Sequence, residues 1–168
     1  MSSDDAQTAL PLSQARRLAW GTAVVLMAAV VAVFAEMGAY FWIAVGSALG
    51  GTARYWFSGI AAHLWGETFP WGTLLINVGG SFVIGFFGTL TGPDGRVFVG
   101  STARQFVMIG ICGGFTTFSS FSLQTLNLLN DGEWVSAGGY VGGSVVLCLV
   151  AVWAGFALAV GLNSLKFA

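Results

Sequence analysis

Long stretches without a charged residue constrain this chain more than any other feature of its sequence. The uncharged, largely apolar stretches are residues 18–35, 37–53, 68–93, 105–130 and 134–165, and the breaks between them hold most of the charge. A helix of about 20 predominantly apolar residues crosses the hydrocarbon core of a bilayer. A membrane β-barrel would instead show short alternating segments. The pattern therefore predicts an all-α membrane protein.

The composition indicates that lipid, rather than water, covers most of the surface. Charged residues make up only 8% of the chain and hydrophobic residues 56%, whereas a soluble domain carries about a quarter of charged residues. The net charge of −1 supplies no basic patch. Nucleic acid is therefore not expected as a partner.

The chain divides into three expected regions. These are a polar N-terminal tail at 1–17, an extra N-terminal transmembrane helix at 18–36, and a core of four helices at 40–165. Arg16 and Arg17 before an apolar stretch also fit a signal peptide, with a tolerable cleavage site at 33–35. An amphipathic surface helix would need a polar face, which residues 18–35 lack. We prefer a retained transmembrane helix.

The positive charges are almost evenly divided between the two sides of such a bundle. Arg96, Arg104 and Lys166 fall on one side, and Arg16 and Arg17 fall on the other if the extra helix spans the membrane. An excess of Lys and Arg on one side normally sets the orientation of a membrane protein. A chain with so small a bias can insert either way round.

Four pairs of glycines are spaced as in closely packed membrane helices. The pairs are Gly46–Gly50, Gly110–Gly114, Gly138–Gly142 and Gly139–Gly143. Glycines four residues apart let two helix backbones approach closely. The spacing predicts a compact bundle but no particular function.

Residues suited to enzyme chemistry are scarce. The two cysteines, Cys112 and Cys148, lie in apolar stretches without metal-ligand spacing, and His63 is the single histidine. We interpret the cysteines as buried, inert thiols and the histidine as a solvated residue near a helix end. No set of acid, base and nucleophile accompanies them, so an enzyme is not expected.

Two sets of polar residues recur every four positions and so follow one helical face each. They are Thr73, Asn77 and Ser81 in the second core span, and Tyr140, Ser144 and Cys148 in the last span. An uncompensated polar side chain in lipid is costly, so these faces should meet the protein interior or an aqueous path. On spacing alone, hydrogen bonding between helices, worth about 0.6–2 kcal/mol per bond, is favoured over a functional role.

Residues 113–122, Gly-Gly-Phe-Thr-Thr-Phe-Ser-Ser-Phe-Ser, are the most informative segment. Two glycines followed by two threonines form poor helix, yet they lie inside an uncharged span. A break in a membrane helix is tolerated only where it is buried or lines a site. Carbonyls freed at such a break suit Na⁺, whereas hydroxyl protons and the positive edges of Phe118 and Phe121 suit a small anion.

Three motifs carry a family resemblance. They are Gly-Ile-Cys-Gly-Gly-Phe-Thr-Thr-Phe-Ser-Ser-Phe-Ser at 110–122, Trp-Gly-Thr-Leu-Leu-Ile-Asn-Val-Gly-Gly at 71–80 and Gly-Gly-Thr-Ala-Arg-Tyr at 50–55. In order and spacing, residues 40–165 resemble the Fluc/CrcB family of fluoride channels. The resemblance implies four-helix subunits with a broken third core helix, paired as an antiparallel, dual-topology homodimer with two pores. It also implies passive fluoride export across a bacterial inner membrane, which relieves cytoplasmic fluoride toxicity.

The resemblance further implies roles for individual residues. The implied fluoride pore comprises Asn77, Thr117, Phe118, Ser119, Ser120, Phe121, Tyr140, Ser144 and Cys148. Arg54 and Gln124 would lie at a vestibule, and the backbone carbonyls of Gly113 and Thr116 would hold a structural Na⁺ at the dimer interface. The chain departs from the family pattern at Gln124, where members commonly have Glu, at Cys148, where they commonly have Ser, and in the extra stretch 18–35.

Two alternatives to a fluoride channel remain open at this point. A small dual-topology multidrug or cation exporter needs a carboxylate within the membrane, but the acidic residues lie in termini or predicted connections, with Glu36 the nearest. A non-transporting membrane assembly protein would leave the polar faces and the helix break without a role. Passive conduction needs sites weak enough to release the ion, and no Lys or Arg occurs between Gln105 and Gly161.

Overall fold

A computed structural model of the chain describes residues 12–165, apart from the side chains of residues 12, 13, 15 and 34–36. The helical elements are α1 (Leu12–Trp65), α2 (Trp71–Leu90), α3 (Ser101–Gln105), a π-helical segment (Phe106–Cys112), α4 (Gly113–Phe115), α5 (Phe118–Asn130) and α6 (Trp134–Ser164). Within the described range no residue forms a strand. The prediction of an all-α protein is confirmed.

Four helical stretches are long and apolar enough to cross a membrane. They are Arg16–Trp65, Trp71–Leu90, Ser101–Asn130 and Trp134–Ser164. Each satisfies the requirement of about 20 predominantly apolar residues. The chain is therefore a multi-pass membrane protein.

Helix α1 does not end where the sequence suggested. We expected a boundary near Glu36, but α1 continues from Leu12 to Trp65. Proline is absent between these residues, and glutamate is a good helix former, so one charge does not stop the helix. The apolar stretch Arg16–Trp65 has 50 residues, more than twice the roughly 20 that one crossing needs. A separate crossing by residues 18–36 stays a prediction.

The chain divides into two units, which meet between Gly38 and Ala39. The first unit contains the beginning of α1, and all its described side chains are exposed. Most of the predicted polar tail at 1–17 lies outside the described residues, and residues 12–17 are helical. The second unit contains the rest of α1 and every other element.

Helix α2 is the centre of the second unit, and it packs mainly along α6. Two glycines permit this contact. A Cβ atom on Gly85 would lie 2.3 Å from the Val152 carbonyl oxygen, and one on Gly155 would lie 2.3 Å from that of Phe82. Helix α2 also packs against the π-helical segment, and α5 packs against α6. Residues on these elements therefore converge around α2.

The predicted glycine contacts are confirmed for two of the four pairs. A Cβ on Gly46 would lie 2.9 Å from the Gly110 Cα, and a Cβ on Gly50 would lie 2.2 Å from the Ile111 carbonyl oxygen. Residues 46–50 of α1 thus lie directly against residues 110–114, as the spacing predicted. The α6 pairs Gly138–Gly142 and Gly139–Gly143 have no described atom within 4 Å of an added Cβ. Helix packing within this chain therefore does not account for those two pairs.

Candidate functional site

Two residues without helical structure interrupt the third apolar span. Helix α4 ends at Phe115 and α5 begins at Phe118, and Thr116 and Thr117 between them have extended backbone. Threonine is stiff at χ1 and disfavours helix, and it is a good residue for the position that precedes a helix. Thr117 takes that role, because its Oγ1 accepts a hydrogen bond from the Ser120 backbone N–H at 3.2 Å.

Asn77 on α2 pairs with both backbone groups of Thr117. Its Nδ2 donates to the Thr117 carbonyl oxygen at 3.0 Å, and its Oδ1 accepts from the Thr117 N–H at 2.8 Å. The Asn77 side-chain amide thus pairs with the extended Thr117 backbone in the same way as the backbone of a neighbouring β-strand. Unpaired backbone groups within a membrane each cost several kcal/mol, so this pairing stabilises the interruption. The Nδ2 atom carries a second proton, which neither of these two hydrogen bonds uses.

A cavity of about 340 Å³ lies beside the interruption. Eight predicted site residues line it: Asn77, Gly113, Thr116, Thr117, Phe118, Phe121, Ser144 and Cys148. The other lining residues are Gly80, Ser81, Ile84, Cys112 and Val145. None carries a formal charge. The cavity therefore offers hydroxyl, amide, thiol and aromatic groups, but no ion pair.

Two phenylalanine rings form one side of this cavity. The centroids of Phe118 and Phe121 are 5.4 Å apart with planes tilted by 46°, because residues at i and i+3 share a helical face. Phe118 is 79% exposed, whereas Phe121 packs on Tyr140 with centroids 5.1 Å apart. The edge of such a ring is electropositive. Both rings can therefore present weakly positive hydrogens to an anion.

Helix α6 supplies Ser144 and Cys148, one turn apart, to the cavity. Ser144 is only 6% exposed, and among the described residues its Oγ has no hydrogen-bond partner. A buried unsatisfied hydroxyl costs about 1–3 kcal/mol, so a ligand that accepts its proton would be favoured. Cys148 is half-buried. The interpretation of both thiols as buried holds for Cys112 but is wrong for Cys148.

Three predicted pore residues do not line this cavity. Tyr140 is completely buried, and its hydroxyl donates to Gln124 Oε1 at 2.9 Å. The hydroxyls of Ser119 and Ser120 lie 3.2 Å and 3.1 Å from Thr117 Oγ1. These serines therefore support the interruption.

The two predicted vestibule residues, Arg54 and Gln124, lie at different places in the structure. Gln124 lines a second, larger cavity of about 1110 Å³, together with Thr73 and residues of the α1–α2 connection. Arg54 lines neither cavity. The larger cavity also reaches Glu67 and Asp131, whose side chains are exposed. No described acidic side chain lines the smaller cavity, so the carboxylate that a proton-coupled exporter needs is not found there.

Several lining residues are not among the predicted site residues. Ser81 lies on the same helical face as Asn77, so the four-residue spacing was a usable signal. No such spacing pattern indicated Gly80, because its importance comes from contact with a residue that is distant in the chain. A Cβ on Gly80 would lie 2.2 Å from Thr116 Cγ2. Only the fold brings these two residues together.

These features define a class of protein: a multi-pass helical membrane protein with an uncharged polar cavity at a helix interruption, an arrangement used by ion channels and transporters. The family described as "CrcB-like protein, Camphor Resistance (CrcB)" matches residues 41–156. The chain belongs to this family.

Relatives with high identity carry one common name, "Fluoride-specific ion channel FluC". The protein from Opitutus terrae is 67% identical over 130 residues, and that from Methylocella silvestris is 64% identical over 127 residues. These alignments cover 98% and 97% of the two relatives and 77% and 76% of this chain. A third relative, from Paramagnetospirillum magneticum, is 61% identical over 124 residues, which are 74% of this chain and 97% of that protein. About a quarter of this chain thus has no counterpart in them.

Proposed function

We propose that the protein is a fluoride channel that lets fluoride leave the cytoplasm passively and so limits fluoride toxicity. The relatives named as fluoride-specific channels support this function, because they are aligned over nearly their whole length. The observation that carries the proposal is the uncharged polar cavity beside the interrupted helix. Its walls combine Asn77, Ser144 and the rings of Phe118 and Phe121.

The chemistry of the cavity suits a small, strongly hydrated anion. Fluoride must exchange its water hydrogen bonds for others, and a fixed Lys or Arg would hold it too tightly for fast exit. Conduction needs sites that are favourable enough to enter and weak enough to leave. The Ser144 hydroxyl and the second amide proton of Asn77 are uncommitted donors of this kind. The phenylalanine ring edges add weaker contacts.

We place the entry to this pathway at the larger cavity. Gln124 lines that cavity, Phe121 lines the smaller one, and Tyr140 contacts both side chains. Fluoride would pass along Tyr140 between the two cavities. Arg54, outside both cavities, would act at longer range by attracting anions to the mouth. Ser119 and Ser120 would hold Thr117 in place as fluoride passes.

The interruption also suits the structural Na⁺ that the family resemblance implies. The Thr117 N–H bonds to Asn77 instead of the Gly113 carbonyl four residues earlier, so that carbonyl lacks its helical donor. The Thr116 carbonyl adjoins it in extended backbone. Free carbonyls at the end of a helix segment are suitable Na⁺ ligands. Gly113 and Thr116 would hold the ion, whose positive charge would offset the carbonyl dipoles of two copies of the chain.

The assembly that we propose is an antiparallel, dual-topology homodimer in a bacterial inner membrane. With residues 18–36 as a separate crossing, Lys and Arg are almost evenly divided between the two sides, which supports insertion in both orientations. Phe118 is largely exposed beside the open cavity, and an added Cβ on Gly138, Gly139, Gly142 or Gly143 of α6 would have no described atom within 4 Å. A second copy would cover such surfaces and give the cavity a further wall.

The function is tested by fluoride efflux from liposomes that contain the purified protein and potassium fluoride, with valinomycin to carry the balancing potassium. We expect rapid, valinomycin-dependent efflux of fluoride and retention of chloride. Phe118→Ile should slow efflux by about tenfold or more, because it removes a ring edge from the pathway. Phe98→Ile is the matched control, since Phe98 is 99% exposed and lines neither cavity.

Fluoride efflux no faster than from protein-free liposomes would refute the channel function. Equal efflux of chloride would refute its selectivity. Equal rates for the Phe118→Ile and Phe98→Ile variants would refute the assignment of the pathway to the smaller cavity.

A further inference from the structure

Two free thiols line the cavity assigned to fluoride. Cys112 comes from the π-helical segment and Cys148 from α6, and neither forms a disulfide. The π-helical segment and α6 both pack against α2. The two cysteines therefore line one cavity from different elements.

A third polar group accompanies the thiols. Ser144, one helical turn before Cys148, is more than nine-tenths buried, and within the described chain its Oγ lacks a hydrogen-bond partner. The oxygen lone pairs of this hydroxyl are available to a cation as readily as its proton is to an anion. A space of about 340 Å³ is thus lined by two cysteines and by a serine whose hydroxyl has no partner among the described residues.

The kind of ion that fits follows from ligand softness. Thiolates select soft cations such as Cu⁺, whereas Mg²⁺ and Ca²⁺ prefer carboxylate and carbonyl oxygens. No His, Asp or Glu lines this cavity, and no cluster of three or more His, Cys, Asp or Glu occurs among the described residues. A tetrahedral zinc site, which usually has at least three protein ligands, is therefore disfavoured. A soft monovalent cation can be bound by fewer ligands.

We propose that Cys112 and Cys148 bind a soft monovalent cation of the Ag⁺ or Cu⁺ class, and that this cation blocks fluoride. The inference rests on the proposed function, because the block requires fluoride to use this cavity. On binding, the S–H bond of each participating thiol breaks, an S–Ag bond forms and the proton passes to water. Neither silver nor sulfur changes its oxidation state. The bound cation fills the pathway and attracts fluoride, a hard anion, only weakly.

The binding step is tested by calorimetric titration of the detergent-solubilised full-length protein with silver nitrate. We expect saturable binding of silver to the wild-type chain, with affinity lowered about tenfold or more in Cys148→Ser, since a thiolate ligand is lost. Cys112→Ser/Cys148→Ser should retain only the weak binding of other side chains. Potassium nitrate controls for ionic strength. If the double variant does not purify, Cys148→Ser against the wild type carries the test.

The block is tested in the fluoride efflux assay, with silver nitrate added to both sides of the liposomes. Each variant is compared with itself in the absence of silver, so the measured quantity is the ratio of the two rates. We expect silver to slow wild-type efflux by about tenfold or more, as a tightly bound ion in a narrow pathway does. The ratio for Cys112→Ser/Cys148→Ser should stay near one.

The outcomes separate the site from the function. Equal silver affinity in the wild type and the double variant would overturn the site. Silver binding at the thiols with no change in efflux would overturn its position in the pathway. Silver binding at the thiols of a protein that releases no fluoride would uphold the cation site and refute the channel.

Discussion

At the residue scale, hydrogen-bond satisfaction separates residues that support the site from residues free to meet an ion. Both ends of the Asn77 amide are bonded to the Thr117 backbone. The Ser144 hydroxyl is bonded to nothing among the described residues. By spacing alone these two polar residues are equivalent, because each belongs to a set that recurs every four positions on one helical face. Substitution should therefore lower stability at Asn77 but not at Ser144.

Asn77→Ala should lower the stability of the protein. It removes both partners of the Thr117 backbone and leaves two polar groups unpaired, at a cost of about 1–3 kcal/mol for each buried group. Thermal unfolding in detergent, followed by circular dichroism, measures the effect. Ser81→Ala is the control, since Ser81 lines the same cavity one turn later. Equal unfolding temperatures for the two variants would show that the Asn77 amide does not hold the interruption.

Ser144→Ala should leave stability unchanged or slightly increased, because it removes a buried hydroxyl that has no partner. Fluoride efflux should nevertheless become slower, since one uncommitted donor is lost from the cavity. The two measurements are thermal unfolding and liposome efflux on the same preparation. A destabilised protein, or one with wild-type efflux, would contradict the assignment of Ser144 to the ion.

At the element scale, the interruption of the third span depends on close contact with its neighbours. Helix α1 lies against the π-helical segment and α4 through Gly46 and Gly50, and α2 accommodates Thr116 at Gly80. A π-helical segment is rare and often accompanies a functional site. Here it lies immediately before the interruption. Small residues on two neighbouring helices make room for the irregular backbone.

Gly50→Ala should disturb the site although Gly50 lies on the neighbouring helix α1 and does not line the cavity. The added Cβ would lie 2.2 Å from the Ile111 carbonyl oxygen and 2.8 Å from the Phe115 backbone nitrogen, so α1 must move away from the interrupted span. We expect a lower unfolding temperature and slower fluoride efflux. Gly51→Ala is a matched control, because its Cβ would have no atom within 4 Å and alanine favours helix by about 1 kcal/mol over glycine. Similar behaviour of the two variants would contradict the packing of α1 on residues 110–114.

At the scale of the whole molecule, low charge has two consequences. The long apolar surfaces of the helices remain exposed in the single chain, which suits contact with lipid. If residues 18–36 form the separate crossing predicted from the sequence, the few Lys and Arg residues are too evenly distributed to fix an orientation. The first property follows from composition, and the second from the positions of Lys and Arg along the chain and the number of crossings.

Dual topology predicts that one exposed position is found on both sides of the membrane. Phe98→Cys places a thiol in the connection between α2 and α3, at a residue that is 99% exposed. A membrane-impermeant maleimide should label about half of the molecules in sealed vesicles and the rest after permeabilisation, because the charge bias is small. The wild-type chain controls for labelling of Cys112 and Cys148. Complete labelling from one side alone would show a single orientation.

Periodicity and composition were enough to predict the fold class of this protein and the position of its helix interruption. Long uncharged stretches fixed an all-α membrane protein, since a helix satisfies its own backbone within lipid. The Gly-Gly-Phe-Thr-Thr sequence indicated the interruption, since glycine and threonine are weak helix formers. The sequence wrongly suggested a helix end near Glu36, because one charge does not oppose helix formation strongly enough.

The tertiary structure alone decided which polar groups are free. Spacing places Asn77 and Ser144 on their helical faces, but hydrogen bonding depends on partners 40 residues away in the chain, as for Asn77 and Thr117. The same holds for the exposure of Cys148, whose apolar stretch indicated a buried thiol, whereas the fold leaves it half-buried at the cavity that the family resemblance implied. Local sequence sets the conformation and the face of a residue, whereas the packing of helices determines what that face meets.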